Sequence, residues 1–408
     1  MSHAQTDPAI QGLDATNPLS WILGFDPAHV SFLHSVLGKQ VLHCKDIRED
    51  RFHGLVSSEV LDTVLGTYGL GPPHIRVVRC DSAVNRSAYE HGGLIDAMKV
   101  ARLFAEGGTV IFESLHHRHE PLRRLCASFA AQAGARTQTN IYLTPPDSQG
   151  FQPHWDTHDV FVLQVEGSKR WQIYDGAEDF PLAGQRSCSE EHEPGVVAGE
   201  FTVSAGDVVY IPRGVMHAAE SGPETSLHIT LGLIAYTWAE FLLECVGELA
   251  LRSRAWRENL PFGFGTGAET KREVRNELRC RLRDLPDSLD IKSTLVAKLD
   301  DIGRAFRPSC SNYLSQAIGA VAALSPDTRI QLRPHLGTRT QVRDGRVVVT
   351  AAGRELDFPQ VATATVRAVL TGEACTAGAI EDTLDWEGRK VVLATMMREG
   401  ILMSTEAE

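Results

Sequence analysis

The chain has 408 residues, 43% of them hydrophobic and 23% charged, with a formal net charge of −12 at pH 7. That length suits two or three domains with real cores, and the charge argues against a general polyanion binder while suiting a basic protein or peptide partner. The eight cysteines, at 44, 80, 126, 188, 245, 280, 310 and 375, show no Cys-x-x-Cys pair and no zinc spacing. With no basic-then-apolar leader and no apolar run of transmembrane length, a cytoplasmic protein without disulfides or membrane attachment is expected.

Residues 1–25 are polar with scattered Pro and Gly and predict a loose start, tied to the body through Trp21, Ile22, Leu23 and Phe25. Residues 26–237 form the next unit, helices and short strands followed by a run of strands. Within it, Pro121 to Ala133 predicts a helix. The polar cluster His116, His117 and His119 just ahead of it reads as an exposed helix entry, with no metal.

The segment Asn140-Ile-Tyr-Leu-Thr-Pro-Pro continues to Gly-Phe-Gln-Pro-His154-Trp-Asp156. On a strand, a His-x-Asp pair projects to one face, so an imidazole and a carboxylate can bind one cation together. Such a pair occurs often by chance, and its context decides. Val160 to Val165, a Glu166-Gly167-Ser168 turn and Lys169 to Tyr174 predict a hairpin rich in β-branched and aromatic residues. Gly206-Asp207, the apolar run Val208 to Ile211, a Pro-x-Gly corner and His217 then supply a third ligand. Two histidines and one carboxylate leave positions open on the metal, the arrangement non-haem Fe(II) oxygenases need.

Ser226, His228 and Thr230 alternate with Leu227, Ile229 and Leu231. A polar inward row suits a barrel that holds a charged ligand, which makes Ser226 and His228 candidate cofactor-binding residues. His228 is expected as a hydrogen-bonded wall residue, not a fourth ligand. His158 shares the parity of the ligand pair and is a candidate for the cavity mouth.

Residues 137–240 resemble the JmjC-type cupin of the ribosomal oxygenases, Fe(II)- and 2-oxoglutarate-dependent enzymes that hydroxylate side chains of ribosomal proteins. The resemblance rests on Asn-x-Tyr-x-Thr-Pro-Pro, His154-x-Asp156, Phe161-Val-Leu-Gln164, the Gly-x-Lys-x-Trp turn ending at Trp171, and Ser226-Leu-His-Ile-Thr230. It implies that His154, Asp156 and His217 are the metal ligands, that Lys169 binds the distal carboxylate of 2-oxoglutarate, and that Asn140 lies beside that co-substrate. The residues themselves also favour Lys169. A carboxylate inside a desolvated barrel must meet a cation. Lys169, Trp171 and Ile173 share the more apolar strand face, whereas Arg170, Gln172 and Tyr174 share the other.

After Thr237 the period becomes helical, beginning with Trp238-Ala-Glu-Phe-Leu-Leu and interrupted by the Gly-rich stretch Phe262 to Gly267, and a helical bundle is expected over 238–327. Lys271, Arg275, Arg279 and Arg283 form a basic stripe. It could touch RNA, but Glu269, Glu273, Glu277 and Asp284 predict a solvated ion-pair face instead. The resemblance implies that these helices form a homodimer interface. Residues 328–408 carry short strands, including Arg346 to Thr350, before three helices: Pro359 opens the first, Thr376 caps the second and Gly400 follows the third. That order looks like a winged helix, and without a basic surplus a structural or protein-binding role is favoured over nucleic-acid binding.

The expected fold is therefore α+β: a loose amino-terminal segment (1–25), a double-stranded β-helix (cupin/JmjC barrel) within 26–237, a helical dimerisation domain (238–327) and a winged helix (328–408). The expected activity is hydroxylation of an Arg or His β-carbon in a ribosomal protein, using Fe(II), 2-oxoglutarate and O2. Two alternatives stay open: a hydroxylase of another peptide, such as a biosynthetic precursor, and a non-catalytic metal-binding cupin module.

Overall fold

The computed structural model describes residues 17–25, 35–45, 48–79, 82–185, 193–305, 313–334, 336–351 and 354–405. Of the segment 1–25, only residues 17–25 are described. Residues 1–16 lie outside the described residues, but Pro18–Leu23 form helix α1, capped by Asn17, whose Oδ1 accepts from the Ser20 N–H at 3.0 Å. Ile22 and Leu23 are buried, and the Trp21 ring meets Phe52 edge-on. The predicted tie to the body is thus a helix, although Phe25 is exposed.

Three further helices precede or flank the strands: α2 (Ser58–Thr67), α3 (Ala97–Ala105) and α4 (Glu120–Ala133). The strands are β1 (Leu42–Cys44), β2 (Ile75–Arg79), β3 (Ser82–Ala83), the small pair β4 (Glu90–His91) and β5 (Leu94–Ile95), β6 (Thr109–Phe112), β7 (Arg136–Thr144), β8 (Asp159–Glu166), β9 (Ser168–Ala177), β10 (Val197–Ser204), β11 (Val208–Ile211), β12 (Val215–Ser221) and β13 (Ser226–Ile234). They build an eight-stranded sheet in the order β1-β11-β8-β13-β7-β6-β2-β3 and a three-stranded sheet β10-β9-β12.

The burial of β8 shows how the layers fit. Seven of its residues in succession are buried. Phe161, Leu163 and Val165 join one core with Leu227, Ile229 and Leu231 of β13, Leu122, Leu125 and Phe129 of α4, and the α1 side chains. Val160 and Val162 point the other way, into a smaller core with Trp171, Val203, Val209 and Ile211. A strand covered by helices on one face and by a second sheet on the other reads as an apolar run, because neither face meets water.

The sequence predicts a hairpin from β8 to β9, and here the structure differs. β8 pairs with β11 and β13, whereas β9 pairs with β10 and β12. The chain leaves one sheet at Glu166 and enters the other at Ser168. Gly167, at φ +62°, makes this step; a Cβ there would lie 2.2 Å from the Thr225 carbonyl oxygen, so only glycine fits. Glu166 anchors the departure point by accepting from the Ser58 N–H at 2.8 Å, at the start of α2.

The chain divides into two compact units, one formed by Met1–Ala235 with Phe306–Glu408, the other by Tyr236–Ala305. The second holds α5 (Trp238–Arg252), α6 (Ala268–Ser288) and α7 (Ile291–Ala305). Thr237 opens α5 with a capping box: its Oγ1 accepts from the Glu240 N–H at 3.1 Å, and Glu240 Oε2 accepts from the Thr237 N–H at 2.8 Å. Helix α6 has no buried residue. Its basic stripe does not form the predicted ion-pair face: at about 100° per residue the acidic residues gather on the side opposite Lys271, Arg275, Arg279 and Arg283. Among the described residues those four cations make no ion pair, and Glu269 and Glu277 pair instead with Arg272 and Arg281.

The carboxy-terminal part carries β14 (Arg329–Leu332), a meander of β15 (Thr338–Arg343), β16 (Arg346–Ala351) and β17 (Arg354–Pro359), helix α8 (Thr363–Val369), β18 (Cys375–Thr376), helix α9 (Trp386–Arg398) and β19 (Leu402–Ser404). Two helices follow the meander, not three. The stretch after Thr376 is a single 3-10 turn, Ala377–Ala379, and Pro359 ends β17 ahead of another, Gln360–Ala362. The Gln360–Ala362 turn runs directly into α8, whereas the turn after Thr376 stops at Ala379 without becoming a helix. Val347, Val349, Val366, Leu393 and Met396 fill this region's own core. Among the described residues no helix is long and apolar enough to cross a membrane.

Candidate metal centre

His154 and Asp156 do not sit on a strand, as their alternation predicts, but on the irregular segment ahead of β8. Their common aim has a different cause. His154 and His217 form a two-way backbone bridge, the His154 N–H donating to the His217 carbonyl at 3.0 Å and the His217 N–H to the His154 carbonyl at 2.8 Å. The Gly214 N–H donates to the Asp156 carbonyl at 2.9 Å, pinning the second ligand two residues on. The loop is thus held against β12 at both ligands.

The three side chains converge, each offering one ligand atom within 4.8 Å of the others. His217 Nε2 lies 3.8 Å from Asp156 Oδ2. Both histidines are oriented by backbone. His154 Nδ1 meets the Gln152 carbonyl at 2.9 Å and His217 Nδ1 meets the Val215 carbonyl at 2.9 Å. A carbonyl only accepts, so Nδ1 carries the proton and Nε2 presents its lone pair to the common point. Burial and the neighbouring His154 hold the His217 imidazole down to about 4, keeping it neutral as a ligand must be. The set fits a divalent transition metal that tolerates mixed nitrogen and oxygen donors.

The centre opens into a cavity between the two sheets with about 550 Å³ of atom-free space, part of it continuous with solvent. It is also lined by Lys169 of β9, which is buried, while Arg170 is exposed and ion-paired to Glu220 and Glu200. The Lys169 Nζ donates to Thr144 Oγ1 at 2.9 Å, and burial pushes the ammonium down to about 7. Thr109 Oγ1, 3.3 Å from Thr144 Oγ1, continues this chain. Two buried donors or acceptors that line the cavity from the two facing sheets, Trp171 Nε1 and His228 Nδ1, have no hydrogen-bond partner among the described residues. Orphaned groups of this kind are costly unless a ligand meets them. A lysine beside them with no counter-ion among the described residues points to an anionic ligand.

His228 lines the cavity and stacks on Tyr142 at 4.8 Å with an interplanar angle of 2°. Ser226 is buried on the same strand face but is not among the residues that line the cavity, accepting from Gln164 Nε2 at 2.8 Å. Asn140 shares its face of β7 with Tyr142 and Thr144, and its Oδ1 accepts from the Ser114 N–H at 3.0 Å. The His158 ring fills the space a side chain at Gly232 would need. The histidine cluster before α4 is not the exposed entry predicted: His116 is buried, its Nδ1 accepting from the Thr139 N–H at 3.2 Å, and His119 Nε2 meets the Leu55 carbonyl at 2.9 Å. Only His117 of the three is exposed.

Residues 114–241 match the JmjC domain family. Ribosomal oxygenase 2 of Rattus norvegicus is 30% identical over 241 residues, covering 56% of this chain and 51% of that protein. Over this region the chain is similar to the JmjC ribosomal oxygenases. A second relative, the bifunctional lysine-specific demethylase and histidyl-hydroxylase NO66 of Culex quinquefasciatus, is 30% identical over 228 residues, covering 51% of this chain and 35% of that protein. The chain thus spans about half of the first relative's length and about a third of the second's. YcfD, a ribosomal oxygenase from Escherichia coli solved in complex with cobalt and 2-oxoglutarate, shares the fold with a TM-score of 0.50 at 18% identity, over 92% of this chain and 98% of that one.

Tyr142, Thr109 and Phe151 line the cavity and Thr144 holds Lys169, and sequence reasoning does not single these four out. For Tyr142 and Thr144 the signal was present, since they continue the alternation of Asn140. Thr109 gave none: it stands in the apolar run of β6, far away in sequence, and only the β6–β7 pairing brings it alongside.

Proposed function

We propose that this chain is an Fe(II)- and 2-oxoglutarate-dependent oxygenase that hydroxylates the β-carbon of an arginine or histidine side chain in a ribosomal protein. The observation that carries this reading is the pairing of a His154, Asp156, His217 set with a buried Lys169, which has no counter-ion among the described residues, in one cavity. A protein that bound a metal for structure alone would have no use for that cation. The cobalt and 2-oxoglutarate complex of the E. coli protein supports the same assignment.

His154 Nε2, Asp156 and His217 Nε2 would hold Fe(II), which supplies dioxygen activation coupled to conversion of 2-oxoglutarate to succinate and carbon dioxide. Lys169 pairs with the distal carboxylate of the co-substrate, with Thr144 fixing the ammonium's direction. His228 and Trp171 offer the unused polar atoms along its length, and Asn140 flanks it from β7. Ser226 acts only through Gln164, by keeping that amide in place. Val160, Val162 and Ala219 line the remaining wall and exclude water, which strengthens each of these interactions.

In this reading the two facing sheets form the double-stranded β-helix of a cupin, and residues 328–405 form a winged helix that contacts protein. The protein is cytoplasmic, and no nucleic-acid binding is favoured. Half-exposed apolar residues on the Tyr236–Ala305 helices, among them Leu242, Leu295 and Leu299, support a homodimer built through them. A second peptide, such as a biosynthetic precursor, is the alternative substrate. The test is incubation with Fe(II), 2-oxoglutarate and the host's own ribosomal proteins, followed by mass spectrometry. A gain of one oxygen on an Arg or His residue is expected; no oxidation of any ribosomal protein, with succinate formed on another peptide, would overturn the substrate assignment.

A further inference from the structure

The segment from Gln149 to Asp156, bridged at Gln149 to Glu220 and at His154 to His217, has neither helix nor strand, yet it must hold two metal ligands still. Within it Phe151 lines the cavity and leans on His154, ring centroids 5.5 Å apart, and on Tyr142 at 6.2 Å. That ring is also met from a distant strand. Residues His228, Tyr142, Ile111 and Arg76 are successive cross-strand partners on β13, β7, β6 and β2, so their side chains share the face that lines the cavity. At the end of this row the Arg76 guanidinium lies 5.4 Å from the Phe151 centroid. Glu113 orients it, accepting from Arg76 Nε at 2.9 Å. Glu113 is itself placed by its own N–H, which donates to the His74 carbonyl at 2.9 Å.

We propose that Arg76 is a positioning residue for the metal ligands: held by Glu113, it clamps the Phe151 ring against His154 and so fixes the loop that carries His154 and Asp156. The cation meets the ring's negative face, and an ion pair that is only half exposed keeps the guanidinium from swinging into solvent. Partners of this kind, one step removed from a metal, set how well its ligands are pre-arranged. The inference rests on the reading that His154, Asp156 and His217 hold a metal, and it concerns metal affinity, not the choice of substrate.

The test is a Co(II) titration of the full chain, without 2-oxoglutarate or peptide, followed by the visible absorption of the bound ion. The wild type is expected to saturate at one site. Arg76→Gln should weaken binding by about tenfold, the lower end of what such supporting contacts contribute, and Arg76→Lys, which keeps a cation over the ring, should recover most of it. Phe151→Leu should match Arg76→Gln, and the double variant should be no weaker than Phe151→Leu alone, because both remove one clamp. Arg170→Gln, an exposed cation elsewhere, should bind as the wild type does. Metal-free melting temperatures near that of the wild type would show that the fold is intact; if Arg76→Gln does not fold, the comparison of Arg76→Lys with Phe151→Leu decides. Wild-type affinity in Arg76→Gln, or losses that multiply in the double variant, would overturn the clamp while leaving the metal site standing. Absence of saturable Co(II) binding in the wild type would overturn both.

Discussion

The cavity region and the Tyr236–Ala305 helices use apolar side chains in opposite ways. Along β8, Val160 to Val165 are buried by the chain's own layers on both faces, so nothing external is needed to complete that core. In α6, 21 residues pass without one buried side chain, and Leu278 and Leu282 are 47% and 49% exposed. A fully covered strand sets a rigid wall for chemistry, whereas an uncovered helix is a surface in want of a partner. Damage to the first region should therefore change activity, and damage to the second should change assembly.

The largest effect is expected from the ligands. His154→Ala, Asp156→Ala and His217→Ala should each abolish succinate formation while leaving the far-ultraviolet circular dichroism and melting temperature close to those of the metal-free wild type. Turnover persisting in any one of the three would remove that residue from the metal. Next comes the anchor. Lys169→Ala should raise the 2-oxoglutarate requirement by roughly one to three powers of ten, since a charge-assisted bond to a desolvated carboxylate is worth about 2–4 kcal/mol. Arg170→Ala should barely alter it, its ion pairs being exposed. The reverse ranking would mean that β9 presents its other face.

A pH profile sharpens the same point. Burial lowers the Lys169 ammonium from 10.5 to about 7, and the dicarboxylate needs its charged form. Affinity for 2-oxoglutarate should be flat below about pH 7 and fall above it, by up to about tenfold per pH unit. Stability moves the other way. The unfolded chain binds this proton more tightly than the folded one, so the penalty for burying Lys169 is greatest below its folded value and fades as pH rises toward 10.5. Binding measured through Trp171 fluorescence at pH 6, 7 and 8 checks the sign; affinity that strengthens with pH would contradict it. The smallest effect on chemistry should come from Leu278→Glu with Leu282→Glu, which would shift sedimentation toward the 44.7 kDa monomer without altering Co(II) binding. A wild type already monomeric at micromolar concentration would remove the homodimer.

The legible parts of the sequence were those written in local pattern. Alternation told Lys169 from Arg170, because a strand with one wet face must choose. The illegible parts depended on pairing between distant segments. Nothing local says that β8 and β9 belong to different sheets, since a glycine turn between two β-rich runs fits a hairpin equally well. His154 and Asp156 show the reverse: they do converge, but through a backbone bridge to His217, so strand parity gave a sound expectation for an unsound reason. His116 reads as surface by its polar neighbours, and is buried because Thr139 supplies the hydrogen bond that makes burial tolerable.

The passage through Gly167 has one more consequence, for how this protein can vary. Connections between strands usually absorb insertions and deletions freely, since they run over open surface. This one is a single residue long, fixed on one side by the hold of Glu166 on α2 and on the other by the register of β9 against β10 and β12. Adding or removing one residue there would advance β9 by one place, turning the Arg170 position inward and the lysine outward. Chain length between residues 166 and 168 is therefore under as tight a constraint as the identity of the lysine itself.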